Sequence, residues 1–135
     1  MKFEYYKNEP KELFDLINEC FDLNVSYNGI DISDNQRFLL LRNNDELIGC
    51  SLITLKKDPI RNLKTFYLDY ICIKKSYRGQ GLGHKLFQEI ERIARSENID
   101  YLELTSNKSR ISARKLYLEE QMKIKDTDLF IKYLR

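Results

Sequence analysis

The sequence predicts an α/β fold, mixed α+β in character, with helices on both faces of a central mixed sheet. Three observations predict it. The apolar period changes along the chain to read helix, β-hairpin, strand, helix, strand, helix, strand. The stretch from Phe66 to Thr105 reads as strand–helix–strand, which calls for a parallel, right-handed crossover. The hairpin before it is antiparallel, so the sheet is mixed. A length of 135 residues fits a single domain, 1–135, large enough to bury a core.

The elements follow in order. Phe3 to Tyr6 reads as a short first strand. Pro10 suits a first helical position, with Asn8 as N-cap, and Leu13, Phe14, Ile17 and Phe21 follow at helical spacing, predicting a helix over about 10–22. Residues 23–35 read as a connection with room for a short helical turn. Arg37 to Arg42 and Glu46 to Leu55 are strands joined by the turn Asn43-Asn44-Asp45. Lys56 to Lys64, with Pro59, reads as a polar loop. Phe66 to Ile73 is a strand by its aromatic and β-branched content. The next helix carries Leu82, Leu86, Phe87, Ile90, Ile93 and Ala94 on one face and ends near Asn98. Tyr101 to Thr105 is a strand, Ile111 to Glu120 a helix and Leu129 to Leu134 a terminal strand.

Composition narrows the function. With 42% hydrophobic and 33% charged residues the chain reads as globular and soluble, not disordered. A net charge of +2 gives no general attraction to polyanions, and the basic residues of 56–64 lack interleaved aromatics, so no nucleic-acid partner is expected. No apolar run is long enough to span a bilayer and no signal-peptide pattern opens the chain, so no membrane role is expected. Cys20, Cys50 and Cys72 are odd in number and lack CxxC spacing. They read as buried reduced thiols, which fits a cytoplasmic protein. With one histidine and no clustered cysteines, no metal site is expected.

The chemistry concentrates in FYLDYICIKKSYRGQGLGHK, Phe66 to Lys85. A strand runs into a basic turn with Gly79, Gly81 and Gly83 at every second position, and then into a helix. Such a turn presents consecutive backbone N–H groups at a helix N-terminus, where phosphate or pyrophosphate binds well. Gly79, Gln80, Gly81, Leu82, Gly83 and His84 can converge their N–H groups on that anion. Glycine allows close backbone approach. Lys74, Lys75, Arg78 and Lys85 make the neighbourhood positive. The familiar phosphate loops do not fit: no glycine precedes Lys-Ser or Lys-Thr, and three residues after Gly81 stands His84, so GxGxxG fails.

Arg78-x-x-Gly81-x-Gly83 after a strand resembles the central motif of the GNAT superfamily of acyl-CoA-dependent N-acetyltransferases. Arg110-x-x-Ala113-x-x-x-Tyr117 resembles that family's second landmark, [N/R]xxAxxxY. In element order the likeness covers about Gln36 to Ile131. It implies a GNAT-like sheet, acetyl-CoA as cofactor and an amine acceptor, either a small molecule or a peptide. It also implies that Ile71, Cys72 and Ile73 offer backbone groups to the pantetheine arm where their strand splays from Tyr101 to Thr105, with the N–H of Ile73 or its neighbour polarising the thioester. Arg110 joins the cofactor-binding set by the same landmark. Tyr117 is the implied general acid for the leaving thiolate. Asp69, an acidic residue in an apolar strand, is the candidate base; regular alternation puts it on one face with Tyr67, Ile71 and Ile73. His84 is expected to act through its backbone, and Glu103 and Glu119-Glu120 to be solvated. Where the family has Gly-Phe after the helix, this chain has Gln121-Met122, which bears on the placement of Tyr117.

The function expected is acetyl transfer to a primary amine by direct attack in a ternary complex. A noncatalytic acyl-CoA-binding regulatory module on the same fold and a nucleotide-binding protein with an unusual glycine loop are the alternatives. The acceptor amine is not specified by the sequence, and a homodimer stays open.

Overall fold

A computed structural model describes residues 1–25 and 29–135. The helical turn allowed for within 23–35 therefore lies partly outside the described residues. The chain forms two compact units, Met1–Thr105 and Ser106–Arg135.

The first unit holds strand β1 (Lys2–Tyr5), helix α1 (Pro10–Phe21), strands β2 (Gln36–Asn43), β3 (Glu46–Asp58) and β4 (Leu63–Ile73), a 3₁₀ turn at Lys75–Tyr77, helix α2 (Leu82–Ser96) and strand β5 (Tyr101–Glu103). The five strands make one sheet in the order β1-β2-β3-β4-β5. The first three pairings are antiparallel and β4–β5 is parallel, so the expected mixed sheet is present.

Alternation sorts the side chains to two faces. On one, Leu13, Leu16 and Ile17 of α1 pack with Phe38, Leu40, Leu47, Cys50 and Cys72. Arg42 extends this side: buried, it bonds to Glu4, to both carboxylate oxygens of Glu12 at 3.0 Å and to the Asp45 carbonyl at 2.9 Å. It thereby ties β1, α1 and the β2–β3 turn together. The opposite face carries Leu39, Leu41, Ile53, Phe66 and Leu68, all buried, together with the apolar face of α2 expected from its spacing. Arg37 marks that side, with its guanidinium 5.1 Å from the Phe66 ring centre and a two-pronged pair to Glu97 at 2.5 and 2.7 Å.

Several local expectations change. Pro10 opens α1, but Glu9 occupies the N-cap without a side-chain bond, and Asn8 instead donates its N–H to Glu9 Oε2 at 3.2 Å. The polar stretch from Lys56 to Lys64 is mostly strand: β3 and β4 continue pairing out to Asp58↔Leu63, leaving a turn at 59–62. Its run of polar side chains reflects exposure at the sheet's end, not loss of pairing. β5 ends at Glu103, two residues short of the expected Thr105.

The second unit contains α3 (Ile111–Glu119). No strand forms over Leu129–Leu134, whose apolar residues are exposed. Strand-like composition describes a side chain suited to a half-buried pleated surface, and this unit has no strand of its own to pair with. Among the described residues, α1, α2 and α3 each end on a left-handed residue that is not glycine: Asp22 at φ 50°, Asn98 at φ 57° and Gln121 at φ 69°. At α3 the N–H groups of Gln121 and Met122 reach back to the carbonyls of Leu118 and Tyr117, both at 3.0 Å. The missing glycine therefore does not abolish the turn, because Gln121 adopts the conformation that glycine usually supplies.

Candidate active site

The site is built where β4 leaves its neighbour. β4 and β5 pair only through Thr65↔Tyr101, Phe66↔Leu102 and Tyr67↔Glu103. Beyond that point β4 runs on for six residues with β3 alone. A contact between Tyr67 Oη and Thr105 Oγ1, at 3.1 Å, stands at the fork. Lys74 donates its N–H to the Ile48 carbonyl of β3 at 2.7 Å. Strand alternation then turns the N–H group of Ile73 to the opposite, open edge. The splay expected between these strands is present in the backbone.

A bulge interrupts β4 here. Cys50 faces Cys72 and Leu52 faces Asp69, so Tyr70 and Ile71 together oppose the single Ser51. Tyr70 sits at φ 51°, a costly conformation for an aromatic residue. The residue is 43% exposed, and its ring meets Phe21 edge-on, with centres 5.7 Å apart. The extra residue changes the faces. Cys50 and Leu52 belong to the α1 side, so Asp69 shares that side with Tyr67 and Cys72. Regular alternation would have put Asp69 with Ile71 and Ile73, and that expectation is corrected. Ile73 points the other way: a Cβ built on its partner Gly49 would lie 2.8 Å from Ile73 Cδ1.

Asp69 is half-buried, and among the described residues its carboxylate has no hydrogen-bond or ion-pair partner. Burial alone holds its carboxyl above the ordinary range. Ser51 Oγ donates to its backbone carbonyl at 3.3 Å, which fixes the strand and leaves the carboxylate unengaged.

The glycine turn follows directly. Gly79 at φ 80° and Gly81 at φ 76° take left-handed conformations, and a Cβ at either would meet nothing within 4 Å. The turn thus needs glycine for its backbone path, and the space beside it is open. Gly81 is the N-cap of α2 and no side chain caps the helix. The first N–H groups of a helix have no intrahelical acceptor, so those of Leu82 and Gly83 point out of its end. Leu82 buries its side chain, while Gly79, Gln80 and Gly81 are exposed. Arg78 does not simply extend into solvent: its Nε donates to the Ile73 carbonyl at 2.9 Å, joining turn to strand end. Lys74 pairs with Glu46 at 3.1 Å and Lys75 with Asp22 at 3.4 Å, so both help anchor the 3₁₀ turn to β3 and α1.

Asp69, Ile71, Cys72, Ile73 and residues 78–84 are therefore continuous within the first unit. Arg110 and Tyr117 belong to the second. Arg110 is the N-cap of α3, not a residue of its face, and Tyr117 is the one α3 residue that is buried, at 8% exposure. The bulge at Tyr70 escaped the sequence reading. Its only trace is the break in apolar spacing at Asp69-Tyr70, followed by three apolar residues in succession. Among the described residues no group of side chains could hold a metal ion, and no helix is long and apolar enough to cross a membrane.

The sequence matches the model of the acetyltransferase (GNAT) family over residues 2–122, and the chain belongs to that family. Among solved structures it is similar to a ribosomal-protein-alanine N-acetyltransferase from Brucella melitensis biovar Abortus 2308, with TM-score 0.82 at 16% identity, covering 99% of this chain and 100% of that one. It is also similar to an aminoglycoside acetyltransferase from an uncultured soil metagenomic sample, with TM-score 0.82 at 13% identity, covering 99% and 95%. A Trypanosoma brucei acetyltransferase gives TM-score 0.76 at 12% identity, covering 98% and 99%. At these identities the likeness speaks for the fold. A search of curated proteins finds no match.

Proposed function

We propose that this chain transfers the acetyl group of acetyl-CoA to a primary amine by direct attack in a ternary complex. The observation that carries the reading is the continuity of the open β4 edge with the left-handed glycine turn and uncapped start of α2. An extended amide-bearing arm fits the first and a pyrophosphate fits the second. The family match spans both units, which supports a single catalytic domain over 1–135.

Acetyl-CoA would supply a thioester carbonyl for attack and a thiolate to leave. The N–H groups of residues 79–84 bind the pyrophosphate, while Ile71 and Ile73 hold the pantetheine amides along the open edge. The Ile73 N–H is aimed to polarise the carbonyl oxygen, an electrostatic contribution that grows as charge develops there. Asp69 takes the proton of the acceptor ammonium, directly or through water. Its half-buried carboxylate, without a partner among the described residues, suits that task, since burial raises its pKa. Tyr117 donates its phenolic proton to the leaving sulfur. Arg78 positions the turn through Ile73, and Arg110 completes the cofactor contacts. The acceptor is a small-molecule or peptide amine, and the three free thiols fit a reducing, cytoplasmic setting.

The test is melting temperature with acetyl-CoA, CoA, ATP and NAD, followed by a screen of amine classes that reads thiol release. Acetyl-CoA should stabilise the fold well above ATP and NAD, by about 2.7 kcal/mol at a hundredfold excess over its Kd. No shift at millimolar acetyl-CoA would remove the foundation of the reading. Binding without turnover on any amine would favour the noncatalytic acyl-CoA module.

A further inference from the structure

Three thiols run from the surface to the core beside the proposed cofactor edge. Cys20 on α1 is half-buried, whereas Cys72 on β4 and Cys50 on β3 are buried. Cys50 and Cys72 are directly opposed in the β3–β4 register, with sulfurs 3.6 Å apart. Opposed residues of antiparallel strands have Cα atoms about 4.5–5.5 Å apart, inside the about 4.4–6.8 Å that a disulfide spans. Cys20 donates its S–H at 3.4 Å to the carbonyl of Ile73, the residue that follows Cys72. Nothing in the proposed transfer uses any of the three.

We propose that Cys20, Cys72 and Cys50 form an oxidation site in which Cys20 receives a peroxide and the resulting disulfide settles between Cys72 and Cys50. Hydrogen peroxide converts the Cys20 thiol to a sulfenic acid and releases one water. The Cys72 sulfur attacks the Cys20 sulfur, forming the S–S bond and releasing a second water. Cys50 then attacks Cys72, and Cys20 leaves as a thiol. The net change is two thiols and one peroxide to one disulfide and two waters. Proximity favours the third step, because the Cys50 and Cys72 sulfurs are already 3.6 Å apart, and the bond from Cys20 to the Ile73 carbonyl holds Cys20 beside the residue next to Cys72 for the second. The first step is slow at neutral pH, since the hydrogen bond with Cys72 and then burial hold the Cys20 thiol above its ordinary pKa. Closing the sulfurs from 3.6 Å to about 2.05 Å draws β3 and β4 together beside Ile73. The consequence for acetyl-CoA rests on the proposed function: oxidation weakens its hold at that strand end.

The full chain is treated with hydrogen peroxide, denatured, alkylated and weighed. The site requires the wild-type protein to fall from three alkylated cysteines to one, with a Cys50–Cys72 linked peptide, and this to revert with dithiothreitol. Three thiols surviving, or Cys20 over-oxidised with Cys50 and Cys72 still free, overturns it. In Cys20→Ser, whose half-exposed position tolerates the change, disulfide formation should slow at least tenfold. An unchanged rate overturns the role of Cys20. The acetyl-CoA melting shift should shrink in the oxidised protein relative to the reduced one. Equal shifts overturn the coupling, whereas no shift even in the reduced protein condemns the cofactor reading and leaves the mass result standing.

Discussion

Replacing Gly49 with alanine tests the site through a residue that touches no ligand. A Cβ there would lie 2.8 Å from Ile73 Cδ1, 3.1 Å from the Cys72 carbonyl oxygen and 3.5 Å from Leu41 Cβ. The Ile73 methyl can swing aside by a rotamer change. The Cys72 oxygen belongs to the backbone and can only move with β4. Overpacking of this kind costs about 1–3 kcal/mol. For a chain of this length that lowers the melting temperature by roughly 3–15 °C. The movement falls on Ile73, so the acetyl-CoA melting shift should also be smaller than in wild type. Gly29→Ala is the control: Gly29 has φ 92° with nothing within 4 Å of a Cβ, so it destabilises through the backbone alone and leaves the shift intact. The reasoning is refuted if Gly49→Ala melts like wild type, or melts lower with an undiminished acetyl-CoA shift.

Three further outcomes are expected. Gln121→Gly should stabilise the protein by about 0.5–1 kcal/mol in chemical denaturation, because it removes a left-handed Cβ penalty that exceeds the added chain entropy. Asp69→Asn should slow turnover most where the acceptor amine is largely protonated, and a pH–rate profile identical to wild type would return Asp69 to a structural role. A carboxyl raised by burial stabilises the fold when protonated, and that contribution is lost as pH rises from about 4 through the raised value. Asp69→Asn should therefore gain stability over wild type above that window and lose the advantage below it. Tyr117→Phe should cut turnover by roughly 10²–10⁴-fold while holding acetyl-CoA affinity within a few-fold, as steady-state kinetics with direct binding would show.

Much of this architecture could be read from residues whose neighbours in sequence decide their state. The α2 face from Leu82 to Ala94 is a local period and appears as expected. So does the glycine turn, because left-handed positions at Gly79 and Gly81 are set by local sterics. What stayed hidden depends on partners. Lys56 to Lys64 is polar and contains a proline, yet two long strands hold each other straight to Asp58 and Leu63. Leu129 to Leu134 has the opposite history, with strand-like residues and no partner in its own unit. The bulge at Tyr70 follows from a mismatch in residue count between β3 and β4, which neither strand carries alone. It decides which face Asp69 occupies, so the candidate base could be nominated from sequence but not aimed.

The two ends of α2 are held very differently. Arg37 grips Glu97 with both prongs, Lys64 Nζ reaches the Glu97 carbonyl at 3.0 Å, and the Ile99 N–H closes back on Ala94 at 2.9 Å. The glycine end has no side-chain cap. Amide hydrogen exchange should therefore run as a gradient along one helix, slow at Ala94 and fast at Leu82 and Gly83. An anion seated on the glycine end would flatten that gradient without moving the anchored end. The helix would then register ligand arrival as a change in fraying, not in position.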